Sequence, residues 1–131
     1  LSTAFDGLSV RDAMRPTPDA IAGTATVSSV LDLYGMGPRL KSLPVAVDGR
    51  VVGVLGQEEI DAVAPSRWPS ARAMSLMTAI GPEDVVDADE PLDVLLVRPA
   101  GASRRVVVVE NGVTVGIIEG EDLARVMPER V

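Results

Sequence analysis

The chain has 131 residues, a formal net charge of −7, and neither cysteine nor histidine. Disulfides, thiolate chemistry and Cys/His zinc sites are therefore excluded, and the commonest general acid–base side chain is missing. The acidic surplus is shared, with five basic and eight acidic residues in 1–65 and seven and eleven in 66–131. Neither half has the basic excess expected of a nucleic-acid or anionic-membrane binder.

Apolar residues make up 47% of the chain, but Phe5, Tyr34 and Trp68 are its only aromatics, so the core is expected to be aliphatic. No apolar stretch approaches the roughly 18–20 residues that span a bilayer, so no direct membrane insertion is expected. The opening Leu1-Ser-Thr-Ala-Phe-Asp6 lacks both Met and a basic leader region, which suggests a piece of something longer.

In chain order, Leu8–Met14 reads as a short helical turn stopped by Pro16 and Pro18. Ala20–Ala22 reads as a brief strand. Val27, Val30, Leu31 and Tyr34 recur at helical spacing, with Thr26 or Ser28 as cap and Gly35, Gly37 and Pro38 as the stop. Strands are expected over Leu43–Val47 and Val51–Leu55 around Asp48-Gly49, a pair suited to a type I′ turn. Pro44 points to an edge or bulged strand. A helix from Gln57 to about Ala64 follows, then a Pro-containing link around Trp68, which could pin the link onto one lobe.

The order then repeats. Ala73–Met77 is a short turn, Asp84–Asp87 a brief strand, and a helix capped by Asp89 runs through about Val97, stopped by Pro99-Ala-Gly101. Arg105–Glu110 and Val113–Ile118 form a hairpin around Asn111-Gly112. Val106–Val109 is apolar enough to be buried on both faces. Glu121–Met127 is the final helix.

Met14 and Met77, Gly49 and Gly112, and Gly53 and Gly116 are each 63 residues apart. Such self-similarity marks a duplicated unit. Each half alone is too small to bury enough surface, so the halves are expected to cover each other. The reading is an α+β fold of two copies, 8–64 and 70–127, joined by 65–69.

The ordered set resembles the cystathionine-β-synthase (CBS) domain pair. It comprises Val10-Arg-Asp-Ala-Met14 and Ala73-Met-Ser-Leu-Met77, a Pro-Val-type strand with an Asp/Asn-Gly hairpin, and a Gly-hydrophobic-hydrophobic turn into the last helix. The linker Val63-Ala-Pro-Ser-Arg-Trp68-Pro is similar to the inter-repeat segment of CBS pairs appended to bacterial site-2-type intramembrane metalloproteases. That likeness would make this a cytoplasmic regulatory tail of a membrane protein. No His-Glu-x-x-His occurs in the chain, so no catalytic residues are assigned to it.

The resemblance implies a regulatory module that holds an adenine nucleotide or S-adenosylmethionine-like ligand in clefts between repeats, and that forms homodimers. A ligand-free dimerisation module is the alternative. Carried over by motif, Asp122 stands at the ribose-binding acid and Glu119 replaces a phosphate-binding hydroxyl. In the first copy Glu59 replaces the acid and Gly56 the hydroxyl. Ile21 and Val86 are base-flanking candidates, with plain core packing the alternative.

The Glu119 carboxylate about 4 Å from a phosphate would repel it by about 4 kcal/mol per charge pair at an effective dielectric near 20. It could instead serve the helix terminus. Arg104-Arg105 reads as a solvated pair at strand entry, with phosphate neutralisation as the alternative. Met14 and Met77 read as core, or as adaptable cleft residues. Glu119, Glu121 and Asp122 match no calcium loop, and no metal is expected.

Overall fold

A computed structural model describes residues 6–97 and 104–126. The expected helix stop at Pro99–Gly101 and the end of the last helix at Met127 lie outside them.

Two compact units are present, and neither is a sequence repeat. The terminal unit draws on Leu1–Thr17 and Ile80–Val131, and the central unit is Pro18–Ala79. They differ from the copies 8–64 and 70–127 because each copy's opening element joins the other copy's body.

The central unit begins with β2 (Ile21–Ala22), the strand after β1 (Arg15–Pro16) of the terminal unit. Helix α2 (Val27–Tyr34) follows, its start capped by Thr26 Oγ1, which accepts from the Ser29 amide at 3.2 Å. Strands β3 (Leu43–Val47) and β4 (Arg50–Leu55), helix α3 (Gln57–Asp61), helix α4 (Ala73–Leu76) and β5 (Thr78–Ala79) complete it. The sheet order is β2-β3-β4-β5, with β2 parallel to β3 and the other pairs antiparallel.

The terminal unit repeats this plan. Helix α1 (Val10–Ala13) precedes β1; β6 (Val85–Asp87), α5 (Val94–Val97), β7 (Val106–Glu110), β8 (Val113–Ile118) and α6 (Gly120–Val126) follow. Its sheet order is β1-β8-β7-β6.

Several expectations need correction. The sequence reading has no β1 or β5, because a two-residue strand carries no periodicity. Strand β3 is central rather than an edge. Pro44 is tolerated because β2 pairs only from Val45 onward, leaving Pro44 a partner on one side alone. The bulge is real: register slips between Val45 and Ala46, and at the corresponding place between Val108 and Val109. Asp84 belongs to a 3-10 turn, Pro82–Asp84, and accepts from the Gly81 amide at 2.9 Å. The carboxylate of Asp89 pairs with Arg11 at 2.9 Å instead of capping α5.

Each unit has its own aliphatic core. Val45, Leu55, Ile60, Val27 and Val30 centre the central one, with Trp68 packed against it, so Trp68 does pin the link to this unit. Val10, Leu92, Val86, Val108 and Ile118 centre the terminal one. Val107 and Val108 are both buried although neighbours on a strand point to opposite faces, as expected for β7.

The hairpin turns have the expected handedness: Asp48 and Gly49 lie at φ 53° and 77°, Asn111 and Gly112 at 52° and 78°. A side chain at Gly49 would meet no atom within 4 Å. Gly49→Ala is therefore expected to cost about 1 kcal/mol from backbone strain alone. Urea denaturation checks this: the midpoint should fall while the slope stays constant.

Candidate functional site

The last helix of each copy starts the same way. In the central unit Glu59, third residue of α3, turns back so that Oε1 accepts from the Gly56 amide at 2.8 Å. In the terminal unit Asp122, third residue of α6, turns back so that Oδ2 accepts from the Glu119 amide at 2.8 Å. An acid at this position satisfies an amide that the helix itself leaves unpaired. Both acids are buried.

Their second oxygens are engaged too. Thr78 Oγ1 on β5 donates to Glu59 Oε2 at 2.7 Å. Arg125 donates to Asp122 Oδ1 at 3.1 Å and, through its other terminal nitrogen, to the Ala13 carbonyl at 3.1 Å. Arg15 Nη1 lies 3.6 Å from Asp122 Oδ2. The candidate ribose acids are thus structural partners of the helix start and of the opening element donated by the other copy.

Glu119, just ahead of α6, lies between two arginines. Arg15 on β1 approaches it at 3.3 Å through both terminal nitrogens, and Arg105 Nε at 3.4 Å. Arg105 is 6% exposed, so the expectation of a solvated pair fails for it; Arg104 is the exposed member, at φ 57°. The picture of a phosphate-repelling Glu119 also needs revision, because its charge is matched by two guanidiniums. Arg15 additionally lies 3.9 Å from Glu121.

The corresponding positions in the central unit are neutral and short. Gly56, Ser42 and Thr78 stand where the terminal unit has Glu119, Arg105 and Arg15, each pair 63 residues apart. Ser42 is buried against Gly56, its Oγ 2.9 Å from where a side chain would begin. The motif comparison missed Arg15, Arg105's burial, Ser42 and Thr78. The 63-residue spacing aligns Arg15 with Thr78 and Arg105 with Ser42 but carries no sign of their packing beside the last helix.

Ile21 and Val86 occupy matching places. Ile21 on β2 pairs with Val45, and Val86 on β6 pairs with Val108. Both belong to the cores, at 7% and 3% exposure. Met14 and Met77 pack tightly as well. A side chain on Gly116 would begin 2.5 Å from Met14 Sδ, and one on Gly53 would begin 2.5 Å from Met77 Sδ.

A pocket of about 350 Å³ in the central unit is lined by Ala22, Gly23, Thr24, Val47, Asp48 and Met74, among others. It lies at the hairpin tip, the opposite end of β3 from Gly56, and includes none of the candidate residues. On the terminal unit, exposed Arg11 is held by Asp89 and Glu110; their hydrogen bonds and charges raise its pKa above the usual arginine value. Among the described residues no cluster of acids could hold a metal ion, and no helix is long and apolar enough to cross a membrane.

A family model described as CBS domain matches residues 10–64. The chain is 32% identical over 126 residues to the protein named "Putative zinc metalloprotease Rip3" of Mycobacterium tuberculosis, in strains Erdman and H37Rv. That match takes in 94% of this chain but 32% of Rip3, so the chain spans about a third of its curated relatives. Among solved structures, the CBS domain of a bacterial CNNM/CorC family Mg2+ transporter superposes with a TM-score of 0.73 at 19% identity, covering 97% of this chain and 79% of that one. A hemolysin-like CBS-domain protein of Oenococcus oeni PSU gives 0.73 at 21%, covering 96% and 93%. CBSX2 in complex with AMP gives 0.64 at 24%, covering 91% and 95%. With the repeated hairpins and the exchanged opening elements, these likenesses show that the chain has the fold of a CBS pair, its residues 10–64 matching the CBS-domain model.

Proposed function

We propose that this chain is the regulatory module of a larger protein related to Rip3, and that it responds to an adenosine-containing ligand without catalysing a reaction. The carrying observation is the matched acid pair, Glu59 and Asp122, placed identically at the start of the last helix in each copy. A carboxylate there can accept from ribose hydroxyls. The AMP complex of CBSX2 supports the ligand class. The central unit is the better half-site, because Gly56, Ser42 and Thr78 surround Glu59 with short neutral groups. A bound ligand would shift the module between conformations by no more than its difference in affinity for them.

Thermal melts with adenosine, AMP, ATP and S-adenosylmethionine test this. A binder stabilises the fold by about 2.7 kcal/mol at a hundred dissociation constants, which raises Tm. Glu59→Gln, which keeps an oxygen to accept from the Gly56 amide, should weaken the response while leaving the unliganded Tm nearly in place. No rise with any of the four at millimolar concentration would reject the reading.

A second reading has its own observation. Both oxygens of Glu59 and both of Asp122 already have partners, which suits a ligand-free dimerisation module. That module would show flat melts and a scattering mass of two chains. A one-chain mass at high concentration would count against dimerisation in either reading.

A further inference from the structure

Beside the start of the last helix the two copies differ at matched positions that include Glu119/Gly56, Arg105/Ser42 and Arg15/Thr78. The differences belong together: the copy that gains a carboxylate also gains both guanidiniums that touch it. We infer that Glu119 is a built-in counter-anion, its carboxylate filling a two-arginine socket whose chemistry suits an oxyanion of the phosphate type.

Burial makes the socket costly to leave empty. The side chains of Arg105 and Arg15 are 6% and 17% exposed, so a nearby anion must compensate their lost hydration. Guanidinium forks match the oxygens of a phosphate as well as those of a carboxylate. Glu121 at 3.9 Å and Asp122 at 3.6 Å from Arg15 temper the positive charge, and Arg125 at 3.1 Å from Asp122 restores part of it.

Glu119 is also the most exposed of the three touching side chains, at 24%. It is the member that solvent can reach, yet its covalent tether keeps it at high effective concentration. A dissolved anion at ordinary concentration therefore loses to it. The terminal unit behaves as though permanently loaded, whether or not the central unit binds a nucleoside, so the inference is independent of the ligand reading above.

The test uses inorganic phosphate as the probe, against sodium chloride at matched ionic strength. Wild type should show only the general rise that excluded phosphate gives a folded protein. Glu119→Ala should melt lower in chloride and gain about 4 °C more than wild type in phosphate at roughly ten times its dissociation constant. Glu119→Gln, which keeps the side-chain volume without its charge, should show a smaller gain and serves if the alanine variant fails to fold. Adding Arg105→Gln to either should abolish the gain. The inference is overturned if both Glu119 variants respond no more than wild type, if wild type responds as strongly as they do, or if the gain survives loss of Arg105.

Discussion

Gly53→Val and Gly116→Val should each destabilise the protein by about 3 kcal/mol, and the corresponding alanine variants by about 2 kcal/mol. A side-chain carbon on Gly53 would begin 2.5 Å from Met77 Sδ and 2.9 Å from the Thr78 carbonyl oxygen. On Gly116 it would begin 2.5 Å from Met14 Sδ and 3.0 Å from the Arg15 carbonyl oxygen. The thioether can swing aside, since methionine is flexible. The carbonyl cannot, because it belongs to a strand paired with the glycine: Gly53 lies opposite Ala79 and Gly116 opposite Pro16.

Combining Gly53→Ala with Met77→Ala should therefore recover only part of the loss, and the double-mutant cycle should show a coupling of about 1 kcal/mol. Full recovery would mean that only the methionine meets the new side chain. Better strand propensity of alanine over glycine works against the effect, but by less than the clash. Urea midpoints at constant slope provide the measurement.

These contacts explain part of the repeat's legibility. Met14 and Met77, like Gly53 and Gly116, recur at one offset because they are two instances of one knob and notch, exchanged between copies. Gly49 and Gly112 recur because each hairpin needs a positive φ at that position. Landmarks of this kind are steric requirements on single residues, so they remain visible in the sequence. Strands β3 and β7 and helix α2 were legible for a different reason: continuous apolar runs, turn pairs and a helical period of apolar residues announce themselves locally.

Exchange of the opening elements was not legible. Arg15–Pro16 and Thr78–Ala79 pair with strands roughly a hundred and some twenty-five residues distant, respectively, and two residues give no pattern to read. The candidate site suffered from the same blindness. Asp122 and Glu119 could be found from the turn into the last helix, but their partners Arg15 and Arg105 come from elements far away in sequence. Treating Glu119 alone produced a repulsion that two neighbouring guanidiniums offset. Asp89 shows the reverse error: a good local cap whose carboxylate was claimed by Arg11 from the distant opening helix.

Asp122→Ala and Glu59→Ala should each cost about 2–3 kcal/mol, since each exposes a helix-start amide and strands a second polar partner in buried surroundings. The amide variants should then separate the copies. In Glu59→Gln the amide oxygen can still accept from the Gly56 amide and the nitrogen can donate to Thr78 Oγ1, so the loss should stay under about 1 kcal/mol. In Asp122→Asn the oxygen can serve the Glu119 amide, but Arg125 and Arg15 lose a negative charge, and an asparagine nitrogen facing a guanidinium sets donor against donor. That variant should lose about 2 kcal/mol, part of it recovered when Arg125→Ala is added. Equal losses for the two amide variants would show that the charges around Asp122 contribute nothing beyond the cap. The same reasoning fixes which variant can probe ligand binding. Asp122→Ala removes the cap and the candidate ribose acid together, so a lost response in it would be ambiguous, whereas Glu59→Gln leaves the helix start intact and changes the acid alone.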